Sequence, residues 1–140
     1  MVDIFFEDTA ILDFSPEFFD LWLNETCISE DHELGQLSLI FCSDKYLLDM
    51  NNKHLGHDYF TDILTFDYSD DVIIGDLFIS IDRVRDNAIE NGVTFINERN
   101  RIVVHGLLHL LGYNDKTTAD KLLMTEKENH YLDNVSRETL

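Results

Sequence analysis

The sequence predicts an α+β fold, with a small mixed four-stranded β-sheet packed against about five α-helices. Two observations support this prediction. Four short segments carry the alternating or continuous apolar residues of strands, and five longer segments carry apolar residues at helical spacing. Their order is β-α-β-α-β-β-α-α-α, which is typical of helices packed on a small sheet. At 140 residues the chain can build one sizeable core, so residues 1–140 are expected to form a single domain.

The first four elements alternate between strand and helix. Ser15 and Pro16 are a cap and a first-turn residue for a helix, and Asp44 is expected to cap the next helix. The expected elements are a strand over Val2–Glu7, a helix from Ser15 towards Cys27, a strand over Gln36–Ser43 and a helix from Asp44 to about Leu55.

The second half is expected to begin with a β-hairpin and to continue with three helices. Ser69, Asp70 and Asp71 are turn-forming residues between two apolar runs, which indicates a hairpin. The expected elements are strands over Ile63–Tyr68 and Val72–Ile81, and helices from Asp82 to about Asn91, from about Asn97 to Gly112, and from Thr117 or Thr118 towards Leu132. The polar residues 98–101 predict that the second of these helices enters from the surface.

A metal site is the most specific prediction of the sequence. His105 and His109 stand four residues apart in an apolar run, so both imidazoles lie on one helix face and can converge. Gly112 can end the helix in the left-handed region, and Asp115 can then return a carboxylate to the same point. Two nitrogens and one oxygen with a coordination position left open describe a catalytic zinc site. The alternative is a pair of buried histidines hydrogen-bonded to backbone or carboxylates.

Gly106 bears on the kind of chemistry. Zinc peptidases with the H-E-x-x-H motif place a glutamate directly after the first histidine, where it activates the metal-bound water. Gly106 occupies that position here, which disfavours peptide hydrolysis. The missing side chain is expected to let a large substrate or another backbone segment come close to the metal.

Charge and composition limit the cellular setting. The net charge is −18, and residues 1–82 hold 19 acidic and only two basic residues, so a polyanion would be repelled from that part. Solvated acidic faces and an acidic docking surface are both open interpretations of this excess. Cys27 and Cys42 have no metal-type spacing and indicate buried, reduced thiols. Without a membrane-length apolar run or a secretory signal, a cytoplasmic protein is expected.

Several motifs resemble one family. His105-Gly-Leu-Leu-His-Leu-Leu-Gly-Tyr-Asn-Asp115 is similar to the signature H-G-x-L-H-L-x-G-Y-D-H of the YbeY family of rRNA-processing endoribonucleases. The segment from Met50 to Phe66, with Asp58 and Thr61-Asp62-Ile63-Leu64-Thr65-Phe66, resembles its L-N-x-x-Y-R-x-x-D-x-P-T-D-V-L-S-F segment. Gly75-Asp76-Leu77-Phe78-Ile79-Ser80 resembles its G-D-I-x-I-S strand.

The resemblance implies a function. It implies a metal-dependent endoribonuclease that cuts single-stranded RNA during 16S rRNA maturation and ribosome quality control. RNA and the ribosome would be its partners, one divalent metal, zinc by preference, its cofactor, and no nucleotide cofactor or membrane is implied. His105, His109 and Asp115 would act in catalysis through the metal that they bind.

Two departures from the family pattern matter. Asp115 aligns with the family's third metal-binding histidine, and two histidines with one carboxylate remain a sound zinc set. Leu55 aligns with the family arginine implicated in RNA chemistry, and leucine cannot bind phosphate. A protonated His57 is a candidate for partial replacement of that arginine, and the alternative is that His57 is a surface loop residue.

Other interpretations stay open at the level of sequence. The absent arginine and the negative charge favour a ribosome-associated binding factor in which the metal is structural, and a metallopeptidase is the weaker alternative because of Gly106. Asp76 stands inside an apolar strand, so either a salt bridge with Arg99 or Arg101 or a role behind the metal ligands is expected. Met124 is expected in the core.

Overall fold

The computed structural model of the chain describes residues 1–56 and 60–138, and the side chains of residues 1–56 and 60–135. Across these residues the elements follow the predicted order. They are β1 (Val2–Phe6), α1 (Pro16–Ser29), β2 (Leu34–Cys42), α2 (Asp44–Leu55), β3 (Ile63–Asp67), β4 (Ile73–Ser80), α3 (Ile81–Asn91), α4 (Phe95–Leu110) and α5 (Thr118–Glu138). His57 lies outside the described residues.

The four strands form one mixed sheet in the order β1-β2-β4-β3. β1 and β4 each pair in parallel with β2, while β3 pairs antiparallel with β4. The predicted hairpin is therefore confirmed, and it places β3 at the edge of the described sheet. The α+β fold with a four-stranded mixed sheet and five helices is also confirmed.

The two faces of the sheet carry cores of different size. The larger core includes Leu77 and Ile79 of β4 and joins side chains of α1, α4 and α5, among them the fully or nearly fully buried Trp22, Leu107 and Met124. Met124 is thus a core residue, as predicted. The smaller core lies on the other face, where α2 packs. Its members are Cys42, Leu47 and Leu64, with Tyr46, Met50, Phe66 and Phe78 at its margin.

α4 passes through the larger core, as its apolar sequence predicts. Val103, Val104, Leu107 and Leu108 are all 0% exposed. Gly106 is on the face of α4 that meets the sheet. A Cβ atom at this position would lie 2.7 Å from Ile63 Cδ1 and 2.9 Å from Leu77 Cδ1. Of the two alternatives predicted for Gly106, a close substrate or a close chain segment, the structure shows the second, because the missing side chain lets the helix approach β3 and β4.

Three of the four polar residues before Ile102 are buried, which contradicts the prediction that this stretch of α4 lies at the surface, whereas Ile96 in the first turn is 45% exposed. Glu98, Arg99 and Asn100 are only 4%, 6% and 2% exposed. The guanidinium of Arg99 lies 4.6 Å from the ring centroid of Phe14, and its Nε and Nη2 donate to Asn100 Oδ1 at 3.1 and 2.8 Å. An aromatic face and a neighbouring amide compensate this cation. Burial lowers the pKa of Arg99 to about 10.

Three helices begin earlier than predicted, and α3 does so by one residue, with Ser80 as its cap. Ser43, rather than Asp44, caps α2, since its hydroxyl accepts a hydrogen bond from the backbone N–H of Tyr46 at 3.1 Å. Thr94 caps α4 in the same way, accepting from the N–H of Asn97 at 3.0 Å. Serine and threonine compete effectively with aspartate for this position because each can accept from the free N–H groups of the first turn.

Both cysteines are free and fully buried, as predicted. Burial raises the pKa of the Cys27 and Cys42 thiols to about 12 in each case. The thiolate, which is the reactive form, is therefore scarce at neutral pH. Within the described ranges, the helices lack the combination of length and apolar character that a bilayer crossing requires.

Candidate metal centre

One turn of α4 brings the two histidines of the motif side by side. His105 Nε2 and His109 Nε2 are 3.0 Å apart, and the ring centroids are 4.6 Å apart. Both side chains are partly buried, with 24% and 26% of their surface exposed. This is the convergence expected from residues four positions apart on one helical face.

The turn after α4 brings the carboxylate to the same place. The helix ends at Leu110, and Gly112 has a φ of +103°, which lets the chain turn back as predicted. Asp115 Oδ2 then lies 3.5 Å from His105 Nε2 and 3.3 Å from His109 Nε2. The structure thus brings together all three residues that were predicted from the sequence as metal ligands.

The other nitrogen of each imidazole has an acceptor. His105 Nδ1 is 2.6 Å from Glu128 Oε2, and His109 Nδ1 is 2.9 Å from the backbone oxygen of Tyr113. A carbonyl and a carboxylate oxygen can only accept, so Nδ1 carries the proton in both rings. The two Nε2 lone pairs are then free and face each other and Asp115.

This donor set suits a small divalent cation. Ligands of a tetrahedral ion with bonds of about 2.0–2.2 Å lie about 3.3–3.6 Å from one another. The three donor atoms are separated by 3.0, 3.3 and 3.5 Å. Three converging lone-pair donors repel one another without a cation between them, whereas a metal ion compensates all three. His105, His109 and Asp115 could therefore hold a metal and leave one coordination position open.

The surroundings of His105 favour its protonated form when no metal is bound. Burial acts to lower its pKa, but the hydrogen bond with Glu128 and the negative charges of Glu128, Asp62 and Asp115 outweigh burial, and the pKa of His105 is raised. A proton is therefore a competitor for the metal at Nε2, and it competes better as the pH falls.

A second group of side chains secures the turn that carries Asp115. The hydroxyls of Tyr113 and Tyr131 both donate to the carboxylate of Glu30, at the end of α1. Lys127 Nζ donates to Glu30 Oε2 at 3.1 Å. Burial acts to raise the pKa of Glu30, but these three donors outweigh it, and the pKa is lowered. Tyr113 thus ties the turn to α1 and α5 through its hydroxyl while its carbonyl orients His109.

A cavity of about 150 Å³ adjoins His105. It is lined by Asp62, Glu98, Arg101, Ile102, His105 and Glu128. The guanidinium of Arg101 already donates to Glu128 Oε1 at 2.9 Å and to Asn129 Oδ1 at 2.8 Å. Burial raises the pKa of Asp62, and the charge of His105 opposes that rise. The cavity is thus a polar cleft beside the proposed metal position.

Asp76 has neither of its expected roles. It pairs with Phe66 across the hairpin and shares the face of Phe66 and Phe78, which is the α2 side of the sheet, whereas α4 packs on the opposite side. Arg99 and Arg101 make their hydrogen bonds with Asn100, and with Glu128 and Asn129. Successive side chains of a strand point to opposite faces of the sheet. Leu77 faces the larger core and α4, so its neighbour Asp76 faces the other side.

The sequence did not identify Glu128 or the Tyr113 carbonyl. Glu128 is separated from His105 by 23 residues, and its position shows no distinctive motif beyond an acidic residue on an amphipathic helix. The contact of Tyr113 is made by its backbone, which any residue could provide. Leu55, the position of the family arginine, is the last residue of α2 and is 48% exposed.

An α+β domain in which two histidines of a central helix and a carboxylate converge, with one position left open, defines a small metallohydrolase. The family model described as "Endoribonuclease YbeY" matches residues 6–136 of the chain. The chain belongs to this family, the YbeY endoribonucleases, which are hydrolytic nucleases. RNA is accordingly its class of substrate.

Curated relatives and a solved structure agree with this assignment. The endoribonuclease YbeY of Cytophaga hutchinsonii is 53% identical over 109 residues, 76% of this chain and 76% of the relative. That of Flavobacterium johnsoniae is 43% identical over 129 residues, 91% of this chain and 92% of the relative. A Thermotoga maritima protein solved in solution superposes with a TM-score of 0.69 at 27% identity, covering 99% of this chain and 91% of that one. The family assignment favours an enzyme over a binding factor or a peptidase.

Proposed function

We propose that this protein is a metal-dependent endoribonuclease that cuts single-stranded RNA in 16S rRNA maturation and ribosome quality control, and that it acts on the ribosome in the cytoplasm. The observation that carries the proposal is the convergence of His105, His109 and Asp115 within 4.8 Å of one another, in a chain of this family. The ribosomal setting rests on the family resemblance alone.

The metal is proposed to be one zinc ion, bound by His105 Nε2, His109 Nε2 and a carboxylate oxygen of Asp115. Neutral imidazole nitrogens together with one carboxylate are common zinc ligands, and three of them leave a position for water or substrate. A bound divalent metal supplies a Lewis acid that polarises a phosphate oxygen and lowers the pKa of water. Asp115 in place of a third histidine lowers the net charge of the site by one and favours oxygen-preferring metals slightly more.

The residues around the centre suit an unpaired RNA strand. Phe60 precedes β3, is 54% exposed and has the guanidinium of Arg83 5.2 Å from its ring centroid. Exposed aromatic rings stack on the bases of single strands. The guanidinium of Arg83 is paired with the carboxylate of Asp44, so the ring of Phe60, and not a free positive charge, is what favours an RNA strand here. Asp62, two residues further along, lines the cleft beside His105. We therefore propose that the unpaired strand lies over Phe60 and enters the cleft that Asp62 lines.

Purified protein is expected to contain about one equivalent of zinc per chain by elemental analysis. The metal-loaded protein should cleave a single-stranded model RNA with multiple turnovers and spare the same sequence in a duplex, because a duplex cannot present unstacked bases. Chelation followed by readdition of zinc should abolish and then restore cleavage. Tight RNA binding without turnover in the zinc-loaded protein would contradict the proposal and support the binding-factor alternative.

Leu55 should make this enzyme slower than relatives that keep the arginine. Loss of a charged group that stabilises a transition state costs about 2–4 kcal/mol, or about a hundred- to thousand-fold in rate. Arg101 does not replace it, because its guanidinium is held by Glu128 and Asn129. Leu55→Arg at this exposed position is expected to raise kcat/KM on single-stranded RNA at least about tenfold, measured at fixed metal and salt.

Leu55→Gln is the matched control, since it is polar and uncharged, and it should leave the rate near that of the wild type. If Leu55→Arg and Leu55→Gln change the rate equally, charge at this position is not what the protein lacks. A wild type already as fast as a relative with arginine would count against the argument in the same way.

A further inference from the structure

Glu128 contacts the candidate metal centre from a different element. It belongs to α5, is 7% exposed, and its Oε2 accepts a hydrogen bond from His105 Nδ1 at 2.6 Å. The distance is short for an N–H···O bond, as expected when the acceptor carries a charge. Glu128 is not itself a candidate metal ligand, because it bonds to Nδ1 and the proposed metal position is on the Nε2 side of the ring.

The other oxygen of Glu128 is fixed independently. Oε1 accepts from Arg101 Nη1 at 2.9 Å, and Arg101 Nη2 donates to Asn129 Oδ1 at 2.8 Å. Each carboxylate oxygen therefore has its own donor, and the carboxylate cannot rotate without breaking one of the two bonds. Arg101 is one turn before His105 on α4, so the arrangement ties α5 to the metal-bearing helix at two successive turns.

We propose that Glu128, held by Arg101, is a positioning residue that fixes the tautomer and orientation of His105 for metal binding. With the proton confined to Nδ1, the Nε2 lone pair points at His109 and Asp115. A carboxylate behind a ligating histidine also makes that ligand more basic. His109 has only the neutral carbonyl of Tyr113 in the corresponding place, so His105 is the better donor of the two.

This inference rests on the proposed function, because it presumes that His105 is a metal ligand. Loss of such a partner typically weakens metal affinity about 10- to 100-fold. Glu128→Gln keeps the shape and one neutral acceptor but removes the charge, and Glu128→Ala removes both. Glu126→Gln is the matched control, because Glu126 is exposed on the same helix.

The experiment measures zinc affinity by competition with a chromogenic chelator, at a temperature where circular dichroism shows every variant fully folded. The dissociation constant is expected to rise about tenfold for Glu128→Gln and about a hundredfold for Glu128→Ala, and to stay unchanged for Glu126→Gln. The ¹⁵N chemical shifts of His105 in the metal-free protein, recorded at a pH high enough for the ring to be neutral, should show the Nδ1–H form in the wild type and a mixture of tautomers in Glu128→Ala. A merely structural role for Glu128 would leave those shifts and the affinity of the folded variants unchanged.

The outcomes separate the two proposals. If the wild type binds no zinc, the proposed metal site fails and the positioning role fails with it. If the wild type binds zinc and both Glu128 variants bind it equally well, the site stands and the positioning role is overturned. If Glu128→Ala does not fold, Glu128→Gln and Arg101→Gln remain as tests. Arg101→Gln removes the guanidinium that holds Oε1 of Glu128. The zinc affinity of these two variants and the tautomer of their His105 ring then decide the matter.

Discussion

His109→Ala is expected to abolish most of the ribonuclease activity and to leave the protein with little bound zinc. The substitution removes one of three proposed ligands, and it leaves His105 and Asp115, whose donor atoms are 3.5 Å apart, as the remaining pair. Without the metal the site loses its main means of stabilising charge on the reacting phosphate. We expect kcat/KM to fall by about a thousandfold, which corresponds to about 4 kcal/mol.

The fold should survive this substitution, since His109 is partly exposed and bonds to a backbone carbonyl at the end of α4. His130→Ala is the control, because His130 is an exposed histidine on α5 away from the cluster. It should keep both metal and activity. Full activity in His109→Ala at a stoichiometric zinc content would show that the ligands, and hence the centre, lie elsewhere.

Leu77→Ala is expected to produce the largest loss of stability. Leu77 is 0% exposed and its methyl groups meet α4 at Gly106, so truncation leaves a cavity between helix and sheet. Truncations of this kind cost about 2–5 kcal/mol. Gly106→Ala alone should cost only about 0–2 kcal/mol, because overpacking of about 1–3 kcal/mol is partly offset by the better helix propensity of alanine, about 1 kcal/mol.

The two substitutions together should cost less than their sum, since the methyl group added by Gly106→Ala enters the space that Leu77 vacates. A coupling of about 1–2 kcal/mol is expected from urea unfolding of the wild type, both single variants and the double variant. Zinc content should not change in Gly106→Ala. Additive effects, or loss of zinc from Gly106→Ala, would mean that Gly106 faces the metal cleft rather than the sheet.

The parts of the molecule that local sequence determines were predictable. His105 and His109 converge because helix geometry alone sets the relation between residues four apart, and Gly112 supplies the backbone freedom that returns Asp115. The hairpin between β3 and β4 follows from turn residues between two apolar runs. Each of these features needs information from only a short stretch of neighbouring residues.

Features that depend on packing between distant elements were missed or misjudged. Arg99 looks like a surface residue, yet it is buried against aromatic rings of α1 and of the segment before it, and Phe14 lies against its guanidinium. Glu98 is buried too, but in the lining of the cleft beside His105. The direction of Gly106 depends on which side of α4 meets the sheet, which the apolar sequence around the helix does not specify. Glu128 could be recognised only once α5 was known to pack beside α4.

The group that secures the metal-bearing turn has a consequence for the order in which the chain is made. The three proposed ligands are synthesised within eleven residues of one another, but Glu128, Lys127 and Tyr131 belong to α5, which follows them in the chain. A nascent chain that has just completed the histidine motif therefore has the ligands without the groups that orient them. The centre becomes complete only after α5 has left the ribosomal tunnel and docked, so an unfinished chain would carry the motif of a nuclease in an inactive form.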